Sequence, residues 1–170
     1  MPLVAERVKN IINIFTVSLF GHREIYDIRQ LNDKLTPIIK NLIQTQSYVS
    51  FLIGRNGEFD TFAASVIKHA QKEAKKESSD ITLVLPYPIA DIEYYEKYYD
   101  SIIIPECLHG SHPKSAITLK NRWMIEQSNL VIVYVERNIG GAYNAMKYAE
   151  KLNKKIVNLY NNEKNDIVFM

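Results

Sequence analysis

A single cysteine, Cys107, in 170 residues rules out a disulfide within the chain. No Cys/His spacing of a zinc site accompanies it, so the chain reads as intracellular with no metal. Charge of one sign is also missing. The formal net charge is only +2, and no basic stripe with interleaved aromatics is visible, so nucleic acid is not expected among the partners. No apolar run approaches the roughly 20 residues of a membrane span. Glu6, Arg7 and Lys9 interrupt the opening segment where a signal peptide would be apolar. A cytoplasmic location with no membrane partner is the simplest expectation. Two familiar nucleotide signatures are absent as well, since the chain has neither a Walker A loop nor a full GxGxxG.

What is present is a composition of 46% hydrophobic and 24% charged residues, sized for one domain with a substantial core. Apolar runs at residues 14–20, 48–53, 81–85, 101–104, 130–135 and 155–160 read as strands. Between them, residues 27–44, 59–76, 91–100, 114–127 and 141–152 carry helical spacing. Pro37 is expected to bend or split the first of these helices. Strand–helix alternation across the chain implies an α/β domain of Rossmann-like type, doubly wound, with a mostly parallel sheet and helices on both faces. The organisation expected is a short amphipathic helix over residues 1–13, the Rossmannoid domain over 14–160 and a tail over 161–170.

Three strands end in turns that would share one sheet edge: Gly21-His22-Arg23, Gly54-Arg55-Asn56-Gly57 and Arg137-Asn138-Ile139-Gly140-Gly141. Ligands of open α/β sheets bind outside the carboxyl ends of the strands, at the topological switch point. Glycines there let turn N–H groups and a helix N-terminus face one anion. Glycine in such turns also serves geometry alone. Arg23 could fork onto a phosphate and His22 could donate or accept a hydrogen bond, or both could bond loop carbonyls. Tyr94, Tyr95, Tyr98 and Tyr99 sit at spacings that suit stacking on a nucleobase, half-buried packing or a subunit contact. Arg122 and Glu126, one turn apart, are explained most simply as an ion pair.

The stretches FGHRE at 20–24, IGRNGEFD at 53–60, NRWMIEQSNLVIVYV at 121–135 and GGAYNAM at 140–146 resemble the SLOG superfamily. The similarity is greatest to its YpsA-like branch, related to the DNA-processing Smf proteins and the LOG proteins. What that resemblance implies is a Rossmann-like fold whose glycine loops bind nucleotides or nucleotide-derived ligands. It also exposes a departure. LOG-type phosphoribohydrolases carry PGGxGTxxE, and here Gly140 and Gly141 match while no Thr or Glu follows in residues 142–146. Arg122 matches the arginine of the preceding helix.

The leading expectation is therefore a nucleotide-binding or sensing module that needs no cofactor. Its ligand would be held by Gly21, His22, Arg23, Gly54, Arg55, Asn56, Gly57, Asp60, Arg122, Asn138, Gly140 and Gly141. Glu58 or Asp60 would meet a ribose hydroxyl. One alternative is an N-glycosidic hydrolase, for which Glu58, Asp60 and Glu126 are the candidate carboxylates. A further alternative is a protein-interaction scaffold. Self-association into a homo-oligomer is expected from the tyrosines and the two apolar termini.

Overall fold

The computed structural model describes residues 13–75 and 77–160. The amphipathic helix expected over 1–13, but for Asn13, and the tail 161–170 lie outside the described residues, as does Lys76. The chain runs β1 (Ile14–Gly21), α1 (Ile28–Thr45), β2 (Tyr48–Ile53), α2 (Glu58–Ala74), β3 (Ser79–Val84), α3 (Ile92–Glu96), β4 (Ser101–Ile103), α4 (Pro113–Gln127), β5 (Leu130–Tyr134), α5 (Gly141–Lys151) and β6 (Lys155–Asn158). A single 3-10 turn, Glu106–Leu108, precedes α4.

All six strands are parallel, in the order β4-β3-β2-β1-β5-β6. The chain winds outward from β1 through β2 to β4, then returns to lay β5 against the other side of β1. The switch point thus falls between β1 and β5. Residue alternation along the strands divides the core in two. Val17, Leu19, Phe51, Ile53, Leu130 and Ile132 face one side, where α1 and α2 contribute Leu35, Ile39, Phe59 and Ile67. Phe20, Leu52, Val131 and Val133 face the other, where α4 and α5 contribute Met124, Ile125, Ala142, Ala145 and Ala149. Strands buried on both faces explain why β5 is an unbroken apolar run. The alanines of α5 let its backbone approach the sheet closely.

Pro37 does not split α1, which runs unbroken from Ile28 to Thr45 with Asp27 capping its start by accepting from Gln30 N–H at 2.9 Å. The inward residues Leu31, Leu35, Ile39, Leu42 and Ile43 are buried, and that burial outweighs the one hydrogen bond a proline removes. Between the sheet and α4, the Ser18 and Ser128 hydroxyls meet each other and Met124 O, which lies 2.9 Å from Ser18 Oγ and 2.7 Å from Ser128 Oγ, so two hydroxyl protons are shared among three contacts. This anchors the C-terminal end of α4 directly over β1.

Candidate functional site

At the carboxyl edge, over β1, β2 and β5, lies a cleft of about 410 Å³. Among the sequence-proposed residues, it is lined by Gly21, His22, Arg23, Gly54, Asn56, Gly57, Asp60, Gly140 and Gly141. The three turns do converge, because a parallel sheet delivers every strand end to the same edge.

Their glycines serve different ends. A Cβ on Gly21 would fall 2.1 Å from the Phe59 ring, and one on Gly57 would fall 2.6 Å from Arg23 Cα. Gly21 lets the Phe59 ring of α2 pack on the end of β1, and Gly57 lets its turn pack on the Arg23 backbone. Gly140 has φ of 98°, a left-handed conformation that other residues resist. Beside it, a Cβ on Gly141 would meet nothing within 4 Å. The fold leaves that space open to the cleft.

One N–H of the Gly54–Gly57 turn and the first N–H of α2 already have partners. Asp60 Oδ2 accepts from Asn56 N–H at 2.8 Å, and Glu58 N–H donates to Arg23 O at 2.9 Å. The α2 start also carries two acids of its own, Glu58 and Asp60, which already answer its helix dipole. Neither helix has a side-chain cap, but α5, unlike α2, has no acid in its first turn. Its orphan N–H groups and positive dipole end are the unanswered ones.

His22 is buried at 7% exposure and joins β1 to the β5 loop. Its Nε2 accepts from Glu136 N–H at 3.0 Å and from Arg137 N–H at 3.2 Å. An acceptor on Nε2 fixes the neutral ring as the Nδ1–H tautomer. Burial lowers the His22 pKa, the Arg137 charge lowers it further, and Glu136 opposes them. His22 thus holds the loop that leads into α5.

Several expected residues stand elsewhere. Arg55 turns to the tyrosines, donating to Tyr95 Oη at 3.2 Å with its guanidinium 5.5 Å from that ring. Arg122 lies 5.1 Å over the Tyr148 ring, and Glu126 accepts from Tyr148 Oη at 2.6 Å. The pair thus meets α5 through one tyrosine and does not form the direct ion pair expected of it. Asn138 lines a separate depression with Met146 and Tyr160. Glu58 is absent from the cleft wall, since its Oε2 accepts from Ile25 N–H at 2.8 Å.

The cleft wall adds Glu24, Ile117, Lys120, Asn121, Arg137 and Ile139. Of these Lys120 is the most unusual, a lysine at 4% exposure. A Cβ on Gly54 would lie 2.8 Å from its Nζ and 3.1 Å from Asp60 Oδ2. Among the described residues its ammonium makes no hydrogen bond and no ion pair within 4 Å. Burial pushes the Lys120 ammonium down and the nearby Asp60 charge pulls it back. Burial likewise raises the Asp60 carboxyl, against the Asn56 N–H and the Lys120 charge. The signal for Lys120 was in its spacing: it falls three residues after Ile117 and four before Met124, on the inward stripe of α4.

Among the described residues no group of three His, Cys, Asp or Glu side chains is placed to hold a metal ion. No helix among them is long and apolar enough to cross a membrane.

The chain has the architecture of a Rossmann-like α/β domain with a cleft at its switch point. No family model and no curated protein matches it. Among solved structures it is similar in fold to DNA processing protein A from Streptococcus pneumoniae, at 15% identity and a TM-score of 0.61 over 84% of this chain and 49% of that one. A second is DNA processing protein A from Helicobacter pylori, whose structure is described for its single-stranded DNA binding mode. There the identity is 14% and the TM-score 0.57, over 84% of this chain and 63% of that one. A third is the molybdenum cofactor carrier protein of Chlamydomonas reinhardtii, at 16% identity and 0.54, over 85% and 75%. The chain therefore spans less than two thirds of either DNA processing protein. These are SLOG-type folds, so the resemblance read from the sequence holds at the level of fold. The exclusion of nucleic acid is corrected by the same finding, because a fold shared with a protein described as binding single-stranded DNA removes the ground for it. Net charge was a poor guide, as a local site needs only a few cations.

Proposed function

We propose that this chain is a binding module for a phosphate-bearing nucleotide or nucleotide-derived ligand, seated in the cleft between β1 and β5. The observation that carries this reading is the unanswered N-terminus of α5, which opens onto the cleft at Gly140 and Gly141 with no acid and no cap. Such a terminus favours an anion through its free N–H groups and its dipole. Arg23 and Arg137 on the same wall add positive charge. Membership of the SLOG superfamily, and of its YpsA-like branch, belongs to this proposal, as do the domain limits 14–160 and a cytoplasmic setting.

The test uses Gly141→Val, because a Cβ there meets no atom within 4 Å outside its own chain neighbours and helix backbone. The variant is expected to fold with an unchanged Tm and to lose the thermal stabilisation that nucleotides give the wild type. Equal stabilisation of both proteins would remove α5 from the site.

A second reading is single-stranded DNA, favoured by the similarity in fold to the two DNA processing proteins. Fluorescence anisotropy with a labelled oligonucleotide separates it from the first. A strand bound along the cleft would show affinity that falls steeply with salt and competition by mononucleotides.

A further inference from the structure

Lys120 stands out from every other cation of the described chain. A lysine at 4% exposure whose ammonium has no acceptor of its own among the described residues is costly unless something in the cleft supplies one. It lines the same cleft as the open end of α5, and Asp60 stands beside it across Gly54. Asp60 Oδ2 is engaged by Asn56 N–H, and among the described residues Oδ1 accepts no hydrogen bond. The wall therefore presents a donor, Lys120 Nζ, and an acceptor, the Asp60 carboxylate, close together and largely withdrawn from water.

We propose that Lys120 and Asp60 form the recognition pair for a terminal phosphate monoester, which makes the ligand of the cleft a mononucleotide or the phosphorylated end of a strand. This rests on the reading of the cleft as a nucleotide site and names the group the site selects. The chemistry discriminates among anions. A phosphate monoester has a second pKa near 6, so one of its oxygens can hold a proton for Asp60 while another accepts from Lys120. A phosphodiester has no such proton and would set its charge against the carboxylate. A free carboxylate ligand fails for the same reason. Burial adds a steric criterion, because an end group can reach a withdrawn ammonium while the internal phosphate of a continuous strand is kept away by its two substituents.

The probes are an equimolar mixture of the four common ribonucleoside 5′-monophosphates, the same mixture as phosphate methyl esters, the parent nucleosides, and oligonucleotides with and without a 5′-phosphate. Isothermal titration and thermal shift are read on the wild type, Lys120→Met and Asp60→Asn. The monophosphates are expected to bind the wild type at least about tenfold more tightly than their methyl esters, and Lys120→Met to lose that preference. Asp60→Asn is expected to narrow the gap between monoester and methyl ester, because its amide accepts the monoester proton less well and no longer repels the diester. The unliganded Lys120→Met protein should keep or raise its Tm, since a buried charge without an acceptor is removed. Equal binding of monoester and methyl ester, or an unchanged preference in Lys120→Met, would overturn the pairing while leaving a ligand in the cleft. Equal binding of oligonucleotides with and without the 5′-phosphate would also overturn it. No binding by any probe would overturn the nucleotide reading together with it.

Discussion

At the scale of single residues, His22 shows how a site-lining side chain can act first on the fold. Its Nε2 is the acceptor for two consecutive backbone N–H groups, those of Glu136 and Arg137. Protonation would replace that acceptor with a donor and break both bonds. The His22 pKa is lowered from 6.5, chiefly by burial, so between the lowered value and 6.5 the unfolded chain binds a proton that the native chain does not. The stability contributed by neutral His22 is therefore fully present above the unfolded value and is lost as pH falls through that window. Urea unfolding compared at about pH 7.5 and about pH 5.5 should show a loss that is smaller in His22→Gln. Amide exchange at Glu136 and Arg137 should accelerate over the same interval. An identical pH dependence in the variant would mean that His22 is not the group responsible. Asp60 carries the opposite sign: burial raises its carboxyl, so its contribution weakens as pH rises through the raised value.

At the scale of elements, the path from β1 to α1 is held by the start of α2. Glu58 N–H donates to Arg23 O at 2.9 Å while Glu58 Oε2 accepts from Ile25 N–H at 2.8 Å. Those two bonds close a clip around the loop that carries Arg23 and Glu24. Glu58→Ala leaves the buried Ile25 N–H without an acceptor and should cost about 1–2 kcal/mol, read by urea unfolding. Glu58→Gln keeps an acceptor and should recover part of it. Wild-type stability in Glu58→Ala would show the clip to be dispensable. Much of this level was legible in the sequence: strand–helix alternation pointed to a mostly parallel sheet, which is parallel throughout, and the three turns were placed on one edge because parallel strands leave no other choice. Two things were not legible. Whether Glu58 faced a ligand or its own loop depended on the Arg23–Gly57 approach, which joins residues far apart in sequence. The direction of Arg55 depended on Tyr95, and that of Arg122 on Tyr148. Helical spacing places such residues on a face but does not say which neighbour that face meets. Lys120 was legible and overlooked, because a charged residue on an apolar stripe is easily assigned to solvent.

At the scale of the whole molecule, binding and cleavage make different demands on the same cleft. An anion is held by fixed positive charge, which α5, Arg23, Arg137 and Lys120 supply around one opening. Glycosidic cleavage needs in addition a carboxylate set against the oxocarbenium-like centre, with a second group to activate water or protonate the leaving base. Of the three carboxylates considered for that role, Glu58 is clipped to Ile25 N–H and Glu126 is bonded to Tyr148 Oη outside the cleft. Of these three only Asp60 lines the wall, and it is already engaged by Asn56 N–H near the Lys120 ammonium, while Glu24, also on the wall, accepts from Tyr26 Oη at 3.2 Å. An Asp60 engaged with a phosphate proton, as proposed, is not free to act on the sugar. The four ribonucleoside 5′-monophosphates, incubated with the protein and resolved by chromatography, should therefore release no more free base than a sample without protein. Release that disappears in Asp60→Asn while the monophosphates still bind would show the opposite. It would make Asp60 a catalytic residue and displace it from the phosphate.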